Sequence, residues 1–312
     1  MKKIIPYILL PLIAIVLIGV VAVVFRPSLI NDKQSVKEKF ATPSSHFLNW
    51  RGAEIHYTDE GEGFPLLLIH GFGGHHRNFN KITEELKKEY RVIRVDLPGF
   101  GLSDCPAVHE NKPEYVQLYK DFFSFFLDTL HLDSFYVAGN SMGGMMAWNL
   151  AVNRPEQVKK LVLLASAGYD LEKTAKGLFI IKFKWLAKLM EKGLPDFMSW
   201  DGAKRCYADE TKINADEVLN NNMITNREGN VKHMLSMAGD LHFPDTAWIQ
   251  QIKCPTLIIW GMQDEIITVE HAQRFKRDIP NAQLLIFDTC GHVPMIERME
   301  DTKQAMSRFF AE

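Results

Sequence analysis

Gly139-Asn140-Ser141-Met142-Gly143 stands between two stretches of different character. Phe135-Tyr136-Val137-Ala138 before it is apolar, part β-branched and part aromatic, which predicts a buried strand. Residues 144–152 after it are rich in Met, Ala and Leu and predict a helix. A serine between strand and helix, with glycine two places to either side, is the nucleophile-elbow pattern. The reason is steric. So tight a turn holds the serine in strained dihedrals, and side chains at the flanking positions would strike the strand or the helix. The hydroxyl is thereby presented at the end of the sheet, beside a helix N-terminus that favours negative charge. G-x-S-x-G is short enough to arise by chance as a glycine-rich helix start, so its context decides its meaning.

A serine hydroxyl attacks poorly until a base takes its proton, and the base needs an acid to hold its ring. The elbow therefore asks for a downstream acid and then a histidine. Trp260-Gly261-Met262-Gln263-Asp264 follows an apolar run and offers Asp264. Cys290-Gly291-His292 follows another and offers His292. Alone, Asp264 reads as a helix-capping loop residue and His292 as a surface turn residue. In the order Ser, Asp, His, each just after a strand, they read as a triad with Ser141. Glu265 ranks below its neighbour. Asp170 lies beyond the strand after the elbow helix, where the strand end itself offers only Ser166 and Ala167. Asp96 is read as organising the loop Asp96-x-x-Gly99-x-Gly101. The oxyanion of an acyl-transfer intermediate needs donors. The backbone N–H groups of Met142 and Phe72 are the candidates, with Gly73 and Gly74 allowing the Phe72 loop to approach closely. His70 is read as bracing that loop, and His75 and His76 as solvated at a helix start.

Further out, residues 46–50 and 53–58, split by Arg51-Gly52, predict a hairpin. Apolar runs at 66–70, 91–96, 160–164, 255–260 and 283–287 alternate with helical patterns at 79–90, 113–130, 272–279 and 302–310. That alternation predicts an α/β fold: a mostly parallel central sheet with helices on both faces. It stops between 169 and 246, where no strand is evident. The organisation that follows is a core in two parts, 46–168 and 247–312, interrupted by a helical cap at 169–246. Within the cap, residues 177–192 project an apolar face opposite several lysines. The favoured reading is a helix covering the acyl pocket; the other is a basic helix resting on anionic lipid.

Residues 4–25 form one uncharged apolar run, long enough at about 1.5 Å per residue to cross a hydrocarbon core of about 30 Å. A secretory signal has a shorter apolar region and a small-residue cleavage site. Neither is found here, and Pro6 and Pro11 are tolerated in a membrane helix. Residues 1–26 are thus expected to be an uncleaved single-pass transmembrane helix, and 27–45 a linker. Lys2 and Lys3 oppose Arg26, Lys33, Lys37 and Lys39 in setting orientation, which leaves the side of the catalytic domain open. The formal net charge of -2 gives nucleic acid no purchase as a partner. Cys105, Cys206, Cys254 and Cys290 show no CxxC or Cys/His metal spacing, so they are read as free thiols rather than a zinc site or disulfide scaffold.

His70-Gly71-Phe72-Gly73-Gly74, Asp96-Leu97-Pro98-Gly99-Phe100-Gly101, Gly139-Asn140-Ser141-Met142-Gly143-Gly144, Trp260-Gly261-Met262-Gln263-Asp264 and Gly291-His292-Val293-Pro294 together resemble a serine α/β-hydrolase of the lipase/esterase branch. The resemblance covers residues from about 46 to 312. It extends to bacterial lipases with a hydrophobic N-terminal segment and to membrane-anchored monoacylglycerol lipases. It implies the triad Ser141, Asp264 and His292, hydrolysis of lipid or small-molecule esters such as acylglycerols, location at the bacterial inner membrane, and no cofactor or metal. Epoxide hydrolases and haloalkane dehalogenases of this fold need an aspartate where Ser141 stands. The elbow also resembles that of C–C bond hydrolases acting on aromatic ring-fission products. Those carry a more glycine-rich oxyanion loop and a tryptophan soon after the histidine, where this chain has Phe72 and Val293-Pro294. A noncatalytic binding protein on this fold would usually have lost a triad member, and all three are present.

Overall fold

The computed structural model describes residues 27–106, 115–170, 188, 190–239 and 245–312. The expected membrane span at 4–25 lies outside the described residues, as does most of the expected helix at 177–192. No helix among the described residues is long and apolar enough to cross a membrane.

Every run expected to be a strand enters one eight-stranded sheet. The strands are β1 (Ser45–Trp50), β2 (Ala53–Glu60), β3 (Phe64–Ile69), β4 (Tyr90–Val95), β5 (Phe135–Asn140), β6 (Val158–Leu164), β7 (Thr256–Gly261) and β8 (Gln283–Phe287). Their order is β1-β2-β4-β3-β5-β6-β7-β8. β1, β2 and β4 pair antiparallel, and every pairing from β4 to β8 is parallel. Arg51 and Gly52 join β1 to β2 with φ of 53° and 79°. Two successive positive φ values are what a two-residue hairpin turn of matching twist requires.

The α-helices named among the described residues are α1 (Lys33–Phe40), α2 (Asn80–Leu86), α3 (Tyr115–Thr129), α4 (Met142–Asn153), α5 (Asp196–Cys206), α6 (Ala215–Thr225), α7 (Asn230–Gly239), α8 (Glu270–Asp278), α9 (Pro294–Glu297) and α10 (Met299–Ala311). Successive strand residues face opposite ways, so the sheet divides the core in two. Leu67, Ile69, Val137 and Leu161 pack on one side with Phe122 and Phe126 of α3, Trp148 of α4 and Phe275 of α8. Leu66, Leu68, Val162 and Leu257 pack on the other with Leu86 of α2 and Met306, Phe309 and Phe310 of α10.

The stretch 27–45, expected to be a linker, is instead folded onto the body. Asp32 caps α1 by accepting the Ser35 N–H at 2.9 Å. Val36 and Phe40, one turn apart, are buried with Leu102 and Ile224. Asn31 bridges to the segment after α6: its N–H donates to Asn226 (2.7 Å), and its carbonyl accepts from Glu228 (2.9 Å). Two apolar side chains carry the burial, so the polar remainder reads as a linker from composition alone. Between β6 and β7, the described residues hold α5, α6 and α7 and no strand. This insertion sits on the loop after β4: Arg227 donates to Asp104 (2.9 Å) and the Asn230 amide to the Gly101 carbonyl (2.9 Å).

That loop is built on Asp96, which is fully buried. Its carboxylate accepts the backbone N–H of His76 (2.6 Å) and of Leu102 (2.9 Å). The Nδ1 atoms of His56 and His76 lie 2.7 and 3.0 Å from Oδ2. Gly101 makes this possible: a Cβ there would fall 2.1 Å from the Asp96 Cγ, and its φ is 59°. Burial alone would push the Asp96 carboxyl up, but the two imidazoles facing it hold it well below its ordinary value. A carboxylate only accepts, so each facing nitrogen carries the proton. His75 and His76, expected to be solvated, are buried. Asp96 gives His76 its partner, and Asn221 of α6 lies 2.9 Å from His75 Nε2.

Burial lowers the pKa of His75 from 6.5 to about 3 and that of His76 to about 4. Both are neutral in the fold, whereas the unfolded chain protonates them below pH 6.5. Their contribution is therefore fully present above pH 6.5 and is lost as pH falls toward 4 and then 3. The unfolding free energy from urea titration should decrease from pH 7 to pH 5, with a slope reaching at most about 1.4 kcal/mol per pH unit for each histidine, and the midpoint should fall with it. A midpoint that stays level over that interval would contradict this account.

Candidate active site

The elbow between β5 and α4 has the strain its sequence requires. Ser141 has φ 56° and ψ -120°. A Cβ on Gly139 would lie 2.2 Å from the Gly143 carbonyl oxygen, and one on Gly143 would lie 2.1 Å from that of Ile69. The Ser141 N–H donates to Leu164 of β6 (3.0 Å), and its carbonyl accepts from Ala167 (2.9 Å) and Met145 (3.1 Å). The serine is thus fixed by its own helix and by the neighbouring strand.

Asp264 follows β7 in a loop closed by the Trp260 indole, which donates to the Ile267 carbonyl at 2.8 Å. Its Oδ1 accepts the N–H groups of Ile266 (2.8 Å) and Ile267 (2.9 Å). Oδ2 then faces His292 Nδ1 at 2.8 Å, with both residues buried. With Asp264 ionised, Nδ1 carries the imidazole proton and Nε2 is left with its lone pair, the form a general base needs. Glu265 and Asp170, the weaker acid candidates, are both exposed. The acid and histidine loops run in contact. A Cβ on Gly261 would lie 2.2 Å from the carbonyl oxygens of Cys290 and Gly291, and the Gln263 N–H donates to Cys290 at 3.0 Å.

Asn140 ties these loops to the elbow. Its amide donates to the carbonyls of Leu164 (3.0 Å) and His292 (3.0 Å). The residue before Ser141 therefore holds the backbone of His292. The one trace of this role in the sequence is a polar residue closing an apolar strand.

The Phe72 loop passes directly against the serine: a Cβ on Gly71 would lie 3.0 Å from the Ser141 Cβ. The Gly74 N–H closes on the Gly71 carbonyl at 3.0 Å, with Gly73 at φ 69°. Phe72 is thus the second residue of a tight turn whose third position takes glycine. Its ring packs edge-on against Phe100, centroids 5.9 Å apart. Behind it, His70 Nε2 accepts the Leu97 N–H (3.0 Å) and Nδ1 lies 2.7 Å from the Gly71 carbonyl. Burial lowers the His70 pKa, which keeps the ring in the neutral form this acceptor role needs. His70 therefore braces the loop, as its sequence position suggests. Met142 is the first residue of α4, where an N–H has no intrahelical acceptor.

All four cysteines are free thiols. Cys206 and Cys290 adjoin the site, and burial pushes both up to about 12, so neither offers a thiolate near neutral pH. Among the described residues, His56, His76 and Asp96 are the one group whose ligand atoms could meet on a metal ion. The Asp96 oxygens there already take two peptide N–H groups and two imidazoles, which makes the cluster a hydrogen-bond hub.

A parallel sheet in this order, with a strained serine after its fifth strand and an acid–imidazole pair after its seventh and eighth, defines a hydrolase of the α/β type. The family model described as alpha/beta hydrolase fold matches residues 65–298, and the chain belongs to that family. Lipase 1 of Psychrobacter immobilis is 33% identical over 268 residues, covering 83% of this chain and 81% of that protein. The 2-hydroxy-6-oxo-6-(2'-aminophenyl)hexa-2,4-dienoic acid hydrolase of Metapseudomonas resinovorans is 30% identical over 290 residues, covering 91% of this chain and 97% of the other. The crystal structure of a membrane phospholipase A, described as a bacterial virulence factor, superposes with a TM-score of 0.73 at 24% identity, covering 100% of this chain and 98% of that one. At that identity the likeness is one of fold.

Replacing Asn140 with Ala strips the donor from two carbonyls in a buried setting. N140A should lower stability by about 1–3 kcal/mol. Chemical denaturation checks this, and an unchanged stability would mean that the Asn140 clamp carries no weight.

Proposed function

We propose that the protein is a serine carboxylic-ester hydrolase that acts on lipid esters such as acylglycerols. The observation that carries this reading is the strained Ser141 tied through Asn140 to the buried Asp264–His292 pair. Ser141 Oγ attacks the ester carbonyl while His292 Nε2 takes the hydroxyl proton. The carbonyl π electrons move to oxygen, and the N–H groups of Phe72 and Met142 stabilise the oxyanion, a donor of this kind being worth about 100- to 1,000-fold in rate. The intermediate collapses, the alkoxide leaves, and His292 returns the proton to it. Water then attacks the acyl-enzyme, His292 takes a proton from it, and the fatty acid departs as Ser141 is reprotonated. Asp264 holds the imidazole throughout. Its role is to fix ring and tautomer rather than to accept the proton.

Residues 169–246 are read as the cap over this site. The lipid substrate is supported by the relation to a lipase and by the apolar run at 4–25, which we read as a single-pass anchor. The described chain is bound to the cap almost from its first residue: the Leu29 N–H donates to the Lys192 carbonyl at 2.7 Å. An anchor ending near residue 26 would therefore hold the domain close to the bilayer. The second reading is hydrolysis of a C–C bond in a ring-fission product, favoured by the 30% identity to such an enzyme.

S141A should abolish ester turnover and labelling by a fluorophosphonate probe; labelling that survives would remove Ser141 from the nucleophile's role. A panel of p-nitrophenyl esters graded by chain length, a monoacylglycerol and a ring-fission dienone should give the highest kcat/KM on the esters. A preference for the dienone would select the second reading. Carbonate extraction should leave the full chain in the membrane pellet, whereas a shortened soluble form would eliminate the anchor.

A further inference from the structure

Glu297 lies five residues beyond His292, at the end of α9, and is only 5% exposed. Its carboxylate accepts three peptide N–H groups: Gly291 at 2.7 Å, Asp209 at 2.9 Å and Ala208 at 3.1 Å. Gly291 immediately precedes His292. Ala208 and Asp209 belong to the strap at 206–209 that leads out of α5 in the insertion. The neighbouring cations are engaged elsewhere. Arg298 pairs with Asp301, and the Lys212 ammonium donates to the backbone carbonyl of Glu297. Peptide dipoles from two separate segments therefore stand where a counter-ion would.

The same two segments meet again beside the carboxylate. The His292 N–H donates to the Cys206 carbonyl at 2.7 Å. A Cβ on Gly291 would lie 2.4 Å from the Cys206 oxygen and 2.9 Å from the Ala208 nitrogen. The strap is thus pressed on the peptide carrying the imidazole, with the carboxylate bonded to both. Neither segment can shift without uncovering a buried charge.

We propose that Glu297 is a positioning residue that latches the cap strap at 206–209 onto the His292 loop, so that cap seating and imidazole placement are one equilibrium. The proposal rests on the triad assigned above and adds a regulator to it: any ligand that lifts the strap withdraws the base. A side chain that merely stabilised the fold would change the melting temperature and leave the chemical step alone. A latch changes the chemical step, because orienting groups behind a catalytic side chain set its geometry.

The full chain, E297Q, A208P and S141A are compared for fluorophosphonate labelling rate, for kcat and KM on a p-nitrophenyl ester, and for amide hydrogen exchange. E297Q keeps the side-chain shape but turns an amide N–H₂ toward peptide donors. A208P removes one donor alone, after an extended Tyr207 compatible with a following proline. E297Q should slow labelling and kcat together by about 10- to 100-fold, the range of a misplacement up to 1 Å. KM should stay within about threefold, since the interaction acts in the chemical step. Exchange should quicken at 206–209 and 291–292 and not in β5. A208P should move the same quantities in the same direction by less.

Wild-type labelling and kcat in a folded E297Q would overturn the latch, whatever its melting temperature. Loss of fold in both E297Q and A208P would overturn it too, by making Glu297 a residue of the fold. Failure of the triad reading shows in a different place: a wild-type chain that does not label, or an S141A chain that does, sinks that reading and the proposal with it.

Discussion

A backbone conformation that costs about 1–3 kcal/mol in isolation sits at Ser141, and it persists only because its surroundings over-determine it. The φ of 56° is held by the strand before, the helix after and β6 alongside. Gly139 and Gly143 supply the contacts below 2.5 Å that no side chain would tolerate. The central strands β3, β5 and β6 must therefore be in register before the serine is presented at all. Their side chains are buried on both faces by α2, α3, α4 and α10, which is why so little of the sheet's interior is polar. Apolar packing of the sheet is in this sense the source of the geometry at Ser141.

The loops at the carboxyl ends of the strands face a different problem, since they are polar and buried together. The same solution recurs three times. Asp96 after β4 accepts the N–H groups of His76 and Leu102. Asp264 after β7 accepts those of Ile266 and Ile267. Glu297 after β8 accepts those of Gly291, Ala208 and Asp209. An irregular loop cannot pair its N–H groups with a neighbouring strand, and a buried unpaired donor is expensive. A buried carboxylate gathers several such donors at once, and its charge strengthens each bond. In the first two cases the oxygen surface left over faces imidazole, and the outcomes differ by geometry. Asp96 meets two rings in the interior and builds structure. Asp264 meets one ring, on the residue whose backbone carbonyl Asn140 holds.

The sheet was legible in the sequence because its information is local. Continuous apolar runs separated by helical patterns name the strands, and glycine spacing names the elbow. Asp264 and His292 each stand directly after a strand, which is why the sequence could single out two side chains that the fold brings face to face. What stayed hidden depends on partners distant in the chain. Val36 and Phe40 look like stray apolar residues in a polar stretch until Leu102 and Ile224 are beside them. His75 and His76 look solvated until Asp96 and Asn221 come within hydrogen-bond reach. Glu297 has no mark of its own in the sequence, because its partners are peptide N–H groups of Gly291 and of the strap at 206–209. In each case a polar or isolated residue acquires its environment from another segment, and periodicity carries no trace of that.

The relation to both a lipase and a ring-fission hydrolase at similar identity follows from this division. Residues that set the sheet, the elbow and the carboxylate-centred loops serve either chemistry, because both need a serine, a base and donors for an oxyanion. Substrate class must then be written in side chains that line the approach to Ser141 without holding the fold. Phe72 belongs to the loop that touches the elbow. Its N–H belongs to the turn beside Ser141, but its ring is half-buried against Phe100 and the apolar core. Met234 of α7 approaches the same turn, its sulfur 3.7 Å from where a Cβ on Gly73 would stand. An aromatic ring and a thioether beside this turn are adaptable apolar groups that offer little to a charged one. Groups of that kind would suit an acyl chain better than the charged end of a ring-fission acid.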